Sequence, residues 1–253
     1  MVHDGSRSDY TSYRGWKGWR PDAFGAITAE DRAYFEGEFR RCGAGDLSDA
    51  DVLEIGFGNG SFAAWCSEQG ARYRGTEQIV ELLEIARARG FDALDASMPL
   101  ESFVDTGSVD LVVALDVFEH LELGDLRELV RSLAGLLKPS GLLVARVPSG
   151  DSPFSRSVQY GDLTHRTILG SSSIQQLADE VDLEVVQTRE PAFPLRGLGI
   201  MACIRRSAVF LVRSLVYPLT THALMGGGHP ILTPNLVFVL RRPDRDAARP
   251  GAS

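Results

Sequence analysis

Cysteine is scarce in this chain: Cys42, Cys66 and Cys203 are the three in 253 residues. An odd number, wide spacing and no C-x-x-C pair exclude a disulfide framework and a structural zinc site, and predict reduced thiols. Long apolar runs are also lacking. The longest uncharged stretch, from Ser214 to Leu240, is interrupted by Pro218, Gly226, Gly227, Gly228, Pro230 and Pro234, which break a membrane-spanning helix. The start, Met-Val-His-Asp-Gly-Ser, has neither the basic nor the apolar region of a secretory signal, so a cytoplasmic location is expected. Basic charge is in deficit, with 26 Lys and Arg against 34 Asp and Glu and a net charge of −8. That balance argues against a nucleic-acid partner. No internal repeat is evident.

What the chain does have is 44% hydrophobic residues, enough to bury a substantial core as one α/β domain with additions. Residues 51–60 read Asp-Val-Leu-Glu-Ile-Gly-Phe-Gly-Asn-Gly, a short buried-strand pattern running into three alternate glycines. Gly56, Gly58 and Gly60 allow backbone angles closed to other residues and close approach of a ligand, and a helix beginning near Ser61 offers amide hydrogens to an anionic or zwitterionic group. A tight strand-to-helix turn uses the same glycines, so the loop alone is weak evidence.

The chain around it strengthens the case. A strand over Arg72–Gly75 ends in Thr76-Glu77-Gln78, placing a carboxylate where a βαβ unit grips a ribose diol. A segment from Phe91 to Ser97 carries Asp95 followed by Ala96 and Ser97, and the apolar run Val109–Leu115 ends in Asp116-Val117-Phe118-Glu119-His120. Polar groups thus close four successive strands, the place where open α/β sheets bind ligands. A nicotinamide-dependent oxidoreductase is the alternative, but its G-x-G-x-x-G fingerprint requires glycine where Ser61 stands.

These residues resemble the class I S-adenosylmethionine-dependent methyltransferases. Glu54 to Gly60 is similar to their first motif, Glu77 to the acidic residue on the cofactor ribose, and Asp95 to the side chain reaching the adenine amino group. Asp116 to His120 resembles the fourth motif, and Leu137 to Val144 the helix end, turn and fifth strand that follow. The resemblance covers about residues 48–190. It implies a Rossmann-like, doubly wound, seven-stranded, mostly parallel sheet with helices on both faces. It also implies S-adenosyl-L-methionine as cofactor, held by Glu54, Gly56, Gly58, Gly60, Glu77, Gln78, Asp95, Ala96 and Asp116. A narrower resemblance, to bacterial members associated with polysaccharide or other glycan biosynthesis, rests on Gly15-Trp-Lys-Gly-Trp19, the Gly56–Gly60 loop, Gly161-Asp-Leu-Thr-His165 and Thr233-Pro-Asn235. It implies O-methylation of a glycan or a small-molecule acceptor. A protein that binds the cofactor without catalysis is a further alternative.

Punctuation and periodicity divide the chain into an irregular arm over 1–27, a domain over 28–242 and a disordered tail over 243–253. Thr28 with Asp31 predicts a helix to about Cys42, and apolar spacing predicts helices over Gln78–Arg89, Asp125–Lys138 and Ser171–Val181. Leu183–Thr188 and Asn235–Arg241 read as the last strands. Between them, over about 195–230, apolar residues mix with Arg196, Arg205, Arg206 and Arg213, predicting an inserted helical cap. It packs on the sheet, or it forms a lid whose basic face touches a membrane surface or a lipid-linked substrate.

For a hydroxyl acceptor the expected base is histidine. His165, with Asp162 to orient its ring, and His120, beside the expected methyl position, are both placed for it; a turn closure and a helix start are the plainer readings. Asp116, Asp162 and Glu119 offer oxygen ligands but no dense cluster, so no metal is expected. His3 lies in the arm, and His222 and His229 flank a glycine-rich turn. Tyr10, Tyr13, Trp16 and Trp19 can stack on an acceptor or simply pack the arm onto the domain.

Overall fold

The computed structural model describes residues 17–44, 46–195, 198–224 and 231–244. His3, Tyr10, Tyr13, Trp16, Arg196, His229 and nearly all of the expected tail lie outside them. The strands are β1 (Asp51–Ile55), β2 (Arg72–Glu77), β3 (Ala93–Asp95), β4 (Val109–Leu115), β5 (Leu137–Pro148), β6 (Glu184–Arg189) and β7 (Asn235–Arg241). The helices are α1 (Ala29–Cys42), α2 (Ser61–Glu68), α3 (Val80–Ala88), α4 (Leu123–Leu136), α5 (Arg156–Gln159), α6 (Ser171–Asp179) and α7 (Ile200–Leu224).

The sheet order is β3-β2-β1-β4-β5-β7-β6, with β7 antiparallel to both β5 and β6 and the other pairings parallel. The strand order reverses between the parallel neighbours β1 and β4, so a crevice opens beyond their carboxyl ends. β4 is buried because β1 and β5 flank it and helices cover both faces, which explains its almost wholly apolar sequence. Leu53 and Ile55 join the layer formed with Leu126, Val130, Leu133 and Leu136 of α4 and Ile174 and Leu177 of α6. Val52 faces the other layer, where Phe35 and Phe39 of α1 meet Phe62 and Trp65 of α2. Phe39 stacks on Trp65 with ring centroids 5.3 Å apart.

Local chemistry sets the helix ends. Thr28 Oγ1 accepts from the Asp31 amide while Asp31 accepts from the Thr28 amide, each at 3.0 Å, a reciprocal cap that starts α1. Gly43, left-handed at φ 76°, stops it. Helix α4 runs Leu123–Leu136 rather than the expected Asp125–Lys138. Pro139 pushes the preceding residue out of the helical region, and Leu137 is already extended and paired with Val109. The third strand is three residues long, since Ala96 and Ser97 turn away after Asp95. The expected cap is one helix, α7, inserted between β6 and β7.

One buried ion pair ties the antiparallel edge to α1. Glu38, fully buried, accepts from the Ala192 amide at 2.6 Å and pairs with Arg189. Arg189→Ala leaves that carboxylate without its cation and is expected to cost about 3 kcal/mol of stability. Urea denaturation checks this, and an unchanged midpoint would contradict it.

Candidate functional site

The crevice beyond β1 and β4 is a cavity of about 720 Å³. Its floor is the glycine loop. Gly56, Gly58 and Gly60 have φ of 70°, 53° and 72°, all left-handed. Contact makes them irreplaceable as well: a Cβ on Gly56 would meet Val117 at 2.8 Å, one on Gly58 the Trp19 ring at 2.9 Å, and one on Gly60 the Phe24 ring at 2.5 Å. The described part of the arm therefore straps the loop. The Gly25 amide donates to Asn59 O at 2.7 Å, and Arg89, at the end of α3, holds the arm by donating to the carbonyls of Pro21, Asp22 and Phe24. Nothing in the helical periodicity of α3 signalled this task for Arg89.

Acidic groups dominate the cavity wall. Glu77 accepts from the amides of Gly58 at 3.0 Å, Gln78 at 2.7 Å and Ile79 at 3.0 Å; burial nonetheless raises its pKa. Glu54 is buried, takes a 2.6 Å hydrogen bond from the Tyr73 hydroxyl, and is pushed by burial up to about 8. Asp116 holds a left-handed backbone at φ 58° and is gripped by Arg146 from β5, whose Nε donates at 2.8 Å. Burial alone would lower Arg146, but Asp116 more than offsets this and raises its pKa. The strain at a non-glycine residue is what functional sites commonly carry. Arg146 was not read from the sequence; its signal was a lone cation inside the apolar run Leu142–Val147.

Glu54, Gly56, Gly58, Glu77, Gln78, Ala96 and Asp116 all line the cavity. Gly60 supports it from behind through Phe24. Asp95 is not among the lining residues; its Oδ1 accepts from the Ser97 amide at 2.9 Å, and Ala96 and Met98 form the wall there. Several amides of the glycine loop are engaged within the protein. The amides of Gly56 and Phe57 donate to Thr76 O and that of Ser61 to Asn59 Oδ1. The carboxyl groups of Glu54, Glu77 and Asp116 on its walls give the cavity hydrogen-bonding partners for a diol and a poor setting for a pyrophosphate.

Beside it, the loop after β5 docks on the one-turn 3-10 helix Phe118–His120, because Glu119 O accepts from the amides of Arg166 at 2.7 Å and Thr167 at 3.1 Å. This brings His120 and His165 together, ring centroids 4.8 Å apart. His120 lines the cavity, whereas His165 lies behind it, its side chain 7% exposed and its Nδ1 donating to Gln159 O at 3.0 Å. Asp162 does not orient His165 by a hydrogen bond, since its Oδ2 stands 3.9 Å from Nε2. Instead Asp162 Oδ1 accepts from Thr164 Oγ1 at 2.5 Å, and Thr164 Oγ1 lies 2.9 Å from His120 Nδ1. Thr164 is thus the intermediary the spacing alone did not name. Burial lowers His120 to about 4. Donor atoms of Glu119, His120 and His165 lie within 4.8 Å of one another.

Comparisons with known proteins agree with this geometry. A family profile described as a methyltransferase domain matches residues 28–188. A ubiquinone biosynthesis O-methyltransferase of Xanthomonas oryzae pv. oryzae is 32% identical over 104 residues, 39% of this chain and 43% of that protein. Its namesake in Vibrio campbellii is 27% identical over 151 residues, 52% of this chain and 63% of that protein. The chain therefore spans about half the length of the curated relatives it matches. Among solved structures, a SAM dependent methyltransferase from Archaeoglobus fulgidus superposes with a TM-score of 0.60 at 17% identity, covering 85% of this chain and 94% of that one. A 1,6-didemethyltoxoflavin-N1-methyltransferase from Burkholderia thailandensis, solved with bound 1,6-didemethyltoxoflavin and S-adenosylhomocysteine, gives 0.55 at 18% identity over 94% and 88%. These two likenesses concern the fold.

Proposed function

Because the chain belongs to the S-adenosylmethionine-dependent methyltransferases, we propose that it methylates a hydroxyl oxygen of a small-molecule or glycan biosynthetic intermediate, with His120 as the base. The observation that carries this reading is the chain of contacts Asp162–Thr164–His120 ending on the cavity wall. The names of the relatives, O-methyltransferases, support oxygen as the acceptor atom. The glycan class rests on the resemblance of the Gly161–His165 and Thr233–Asn235 segments.

The walls fit the cofactor. Glu77 offers a carboxyl group suited to a ribose diol, Asp116 offers negative charge at the cavity wall, and the glycine floor lies where any Cβ would collide. S-Adenosylmethionine supplies a methyl carbon already activated for displacement. The protein then has to align the acceptor, exclude water and remove one proton.

The hydrogen bonds support His120 for that last task. A carboxylate only accepts, so the Thr164 hydroxyl proton goes to Asp162, and Thr164 Oγ1 must accept from His120 Nδ1–H. The lone pair of His120 is then at Nε2, where it takes the acceptor's proton as its oxygen attacks. Asp162 and Thr164 hold the tautomer and stabilise the imidazolium. Trp19 over Gly58 helps close the site to water.

Protonation follows with a definite sign. A His120 lowered to about 4 stays neutral, and competent, at every pH above it. With cofactor saturating, kcat/KM for the acceptor should hold level from neutrality down to about pH 5 and fall only near 4. A fall centred near pH 6.5, where an ordinary histidine titrates, would remove His120 from the role.

A further inference from the structure

Helix α7 is built inside out. Its stripe toward the domain is polar: Arg206 donates to Pro194 O at 3.2 Å and pairs with Glu30, Arg206 and Arg213 lie over the Phe193 ring at 5.1 and 4.9 Å, and Tyr217 bonds Glu190. The opposite stripe is apolar and faces out. Met201, Ile204, Leu211, Leu215 and Leu219, at helical spacing, are 77%, 58%, 62%, 69% and 71% exposed. From Met201 to Leu219, at 1.5 Å per residue, the face is about 27 Å long. Scattered exposed leucines need no explanation, but a continuous stripe on a helix whose Arg206 and Arg213 turn toward the domain does.

We propose that α7 is a membrane-docking helix that lies in the headgroup boundary of an anionic lipid bilayer, its apolar face inserted and its axis parallel to the surface. Among the described residues no helix is long and apolar enough to cross a membrane, so α7 lies on the bilayer and does not span it. Charge selects the occupant. The chain carries a net charge of −8, yet α7 carries Arg205, Arg206 and Arg213 and no Asp or Glu. An anionic surface repels the rest of the protein and accepts this segment, with exposed Arg205 on the flank of the apolar stripe. A second copy of the chain fits worse: a two-fold contact sets α7 against α7, which has no acidic residue to pair with Arg205.

The contact differs from the one the sequence suggested, since the basic side is occupied by the domain and the apolar side makes it. It also has a consequence for the enzyme. Arg206 is anchored to Glu30 in the first turn of α1, and the next residue, Asp31, walls the cavity. Docking through α7 therefore holds the cavity's own helix near the lipid surface, where an acceptor with a lipid tail resides.

Flotation of the full chain tests this, using vesicles of phosphatidylglycerol mixed with phosphatidylcholine and vesicles of phosphatidylcholine alone. The protein should float with the anionic vesicles. Leu211→Ser combined with Leu215→Ser should cut the bound fraction about tenfold or more, and Arg205→Glu should weaken the preference for anionic lipid. Both variants replace exposed side chains, and unchanged binding of S-adenosylhomocysteine verifies their fold independently of lipid. Failure of the wild-type chain to float with either vesicle, or equal flotation of the double variant, overturns the proposal. A dimer in solution that the same double variant dissociates, without vesicle binding, assigns the face to a second copy and equally overturns it.

Discussion

Replacing His120 with alanine lowers kcat by about 10²- to 10⁴-fold and leaves the affinity for S-adenosylhomocysteine unchanged. That is the effect expected of a side chain that moves one proton in the transition state and contributes little to holding the cofactor. Thr164→Val separates positioning from chemistry. It keeps the side-chain volume but removes the link between Asp162 and Nδ1, so kcat falls less than in His120→Ala, while KM for the acceptor changes little. His165→Asn loses the bond to Gln159 O and the packing against His120, and should cost less activity than either. Should His165→Asn abolish turnover while His120→Ala retains it, the roles assigned to the two rings are reversed.

The second large effect comes from Gly58→Val. The backbone there is left-handed at φ 53°, which a β-branched residue adopts at a cost of about 1–3 kcal/mol, and the new side chain collides with the Trp19 ring 2.9 Å from the Cβ position. The loop must shift, and with it the Gly58 amide that holds Glu77. Cofactor affinity should fall by on the order of a hundredfold, since each 1.4 kcal/mol is tenfold. Ligand-induced stabilisation in a thermal melt reads this directly, and a variant that melts cooperatively yet is stabilised by S-adenosylhomocysteine as much as the parent would show that the loop tolerates the shift.

The cofactor half of the site was legible because it is built from local sequence. A strand, three glycines and an acid after the next strand are separated by one βαβ unit, so the positions of Gly56, Gly58, Gly60 and Glu77 follow from periodicity and turn chemistry. What escaped depends on tertiary approach. Trp19 and Phe24 reach the glycine floor across about 40 residues of chain, held by Arg89, whose guanidinium looks like any exposed helix-end cation in sequence. Likewise His120 and Thr164 are 44 residues apart, and only the docking of the loop after β5 on Glu119 O joins them. The fold was readable to the order of its elements, and its boundaries moved where pairing or proline overrode helical spacing, as at Leu137 and Pro139. For α7 the composition was visible but the direction of its faces was not. An amphipathic pattern does not say which side the domain takes, and here Glu30 and Phe193 claim Arg206 and Arg213 while Glu190 takes Tyr217.

The account rests on the acidic, glycine-floored cavity being the cofactor site. Calorimetric titration of the purified chain with S-adenosylhomocysteine, alongside Glu77→Ala, measures that most directly. Micromolar binding by the parent is expected, weakened about tenfold to a hundredfold in the variant, which loses the carboxylate that organises Gly58, Gln78 and Ile79. A folded parent chain that takes up no S-adenosylhomocysteine would contradict the assignment of this cavity.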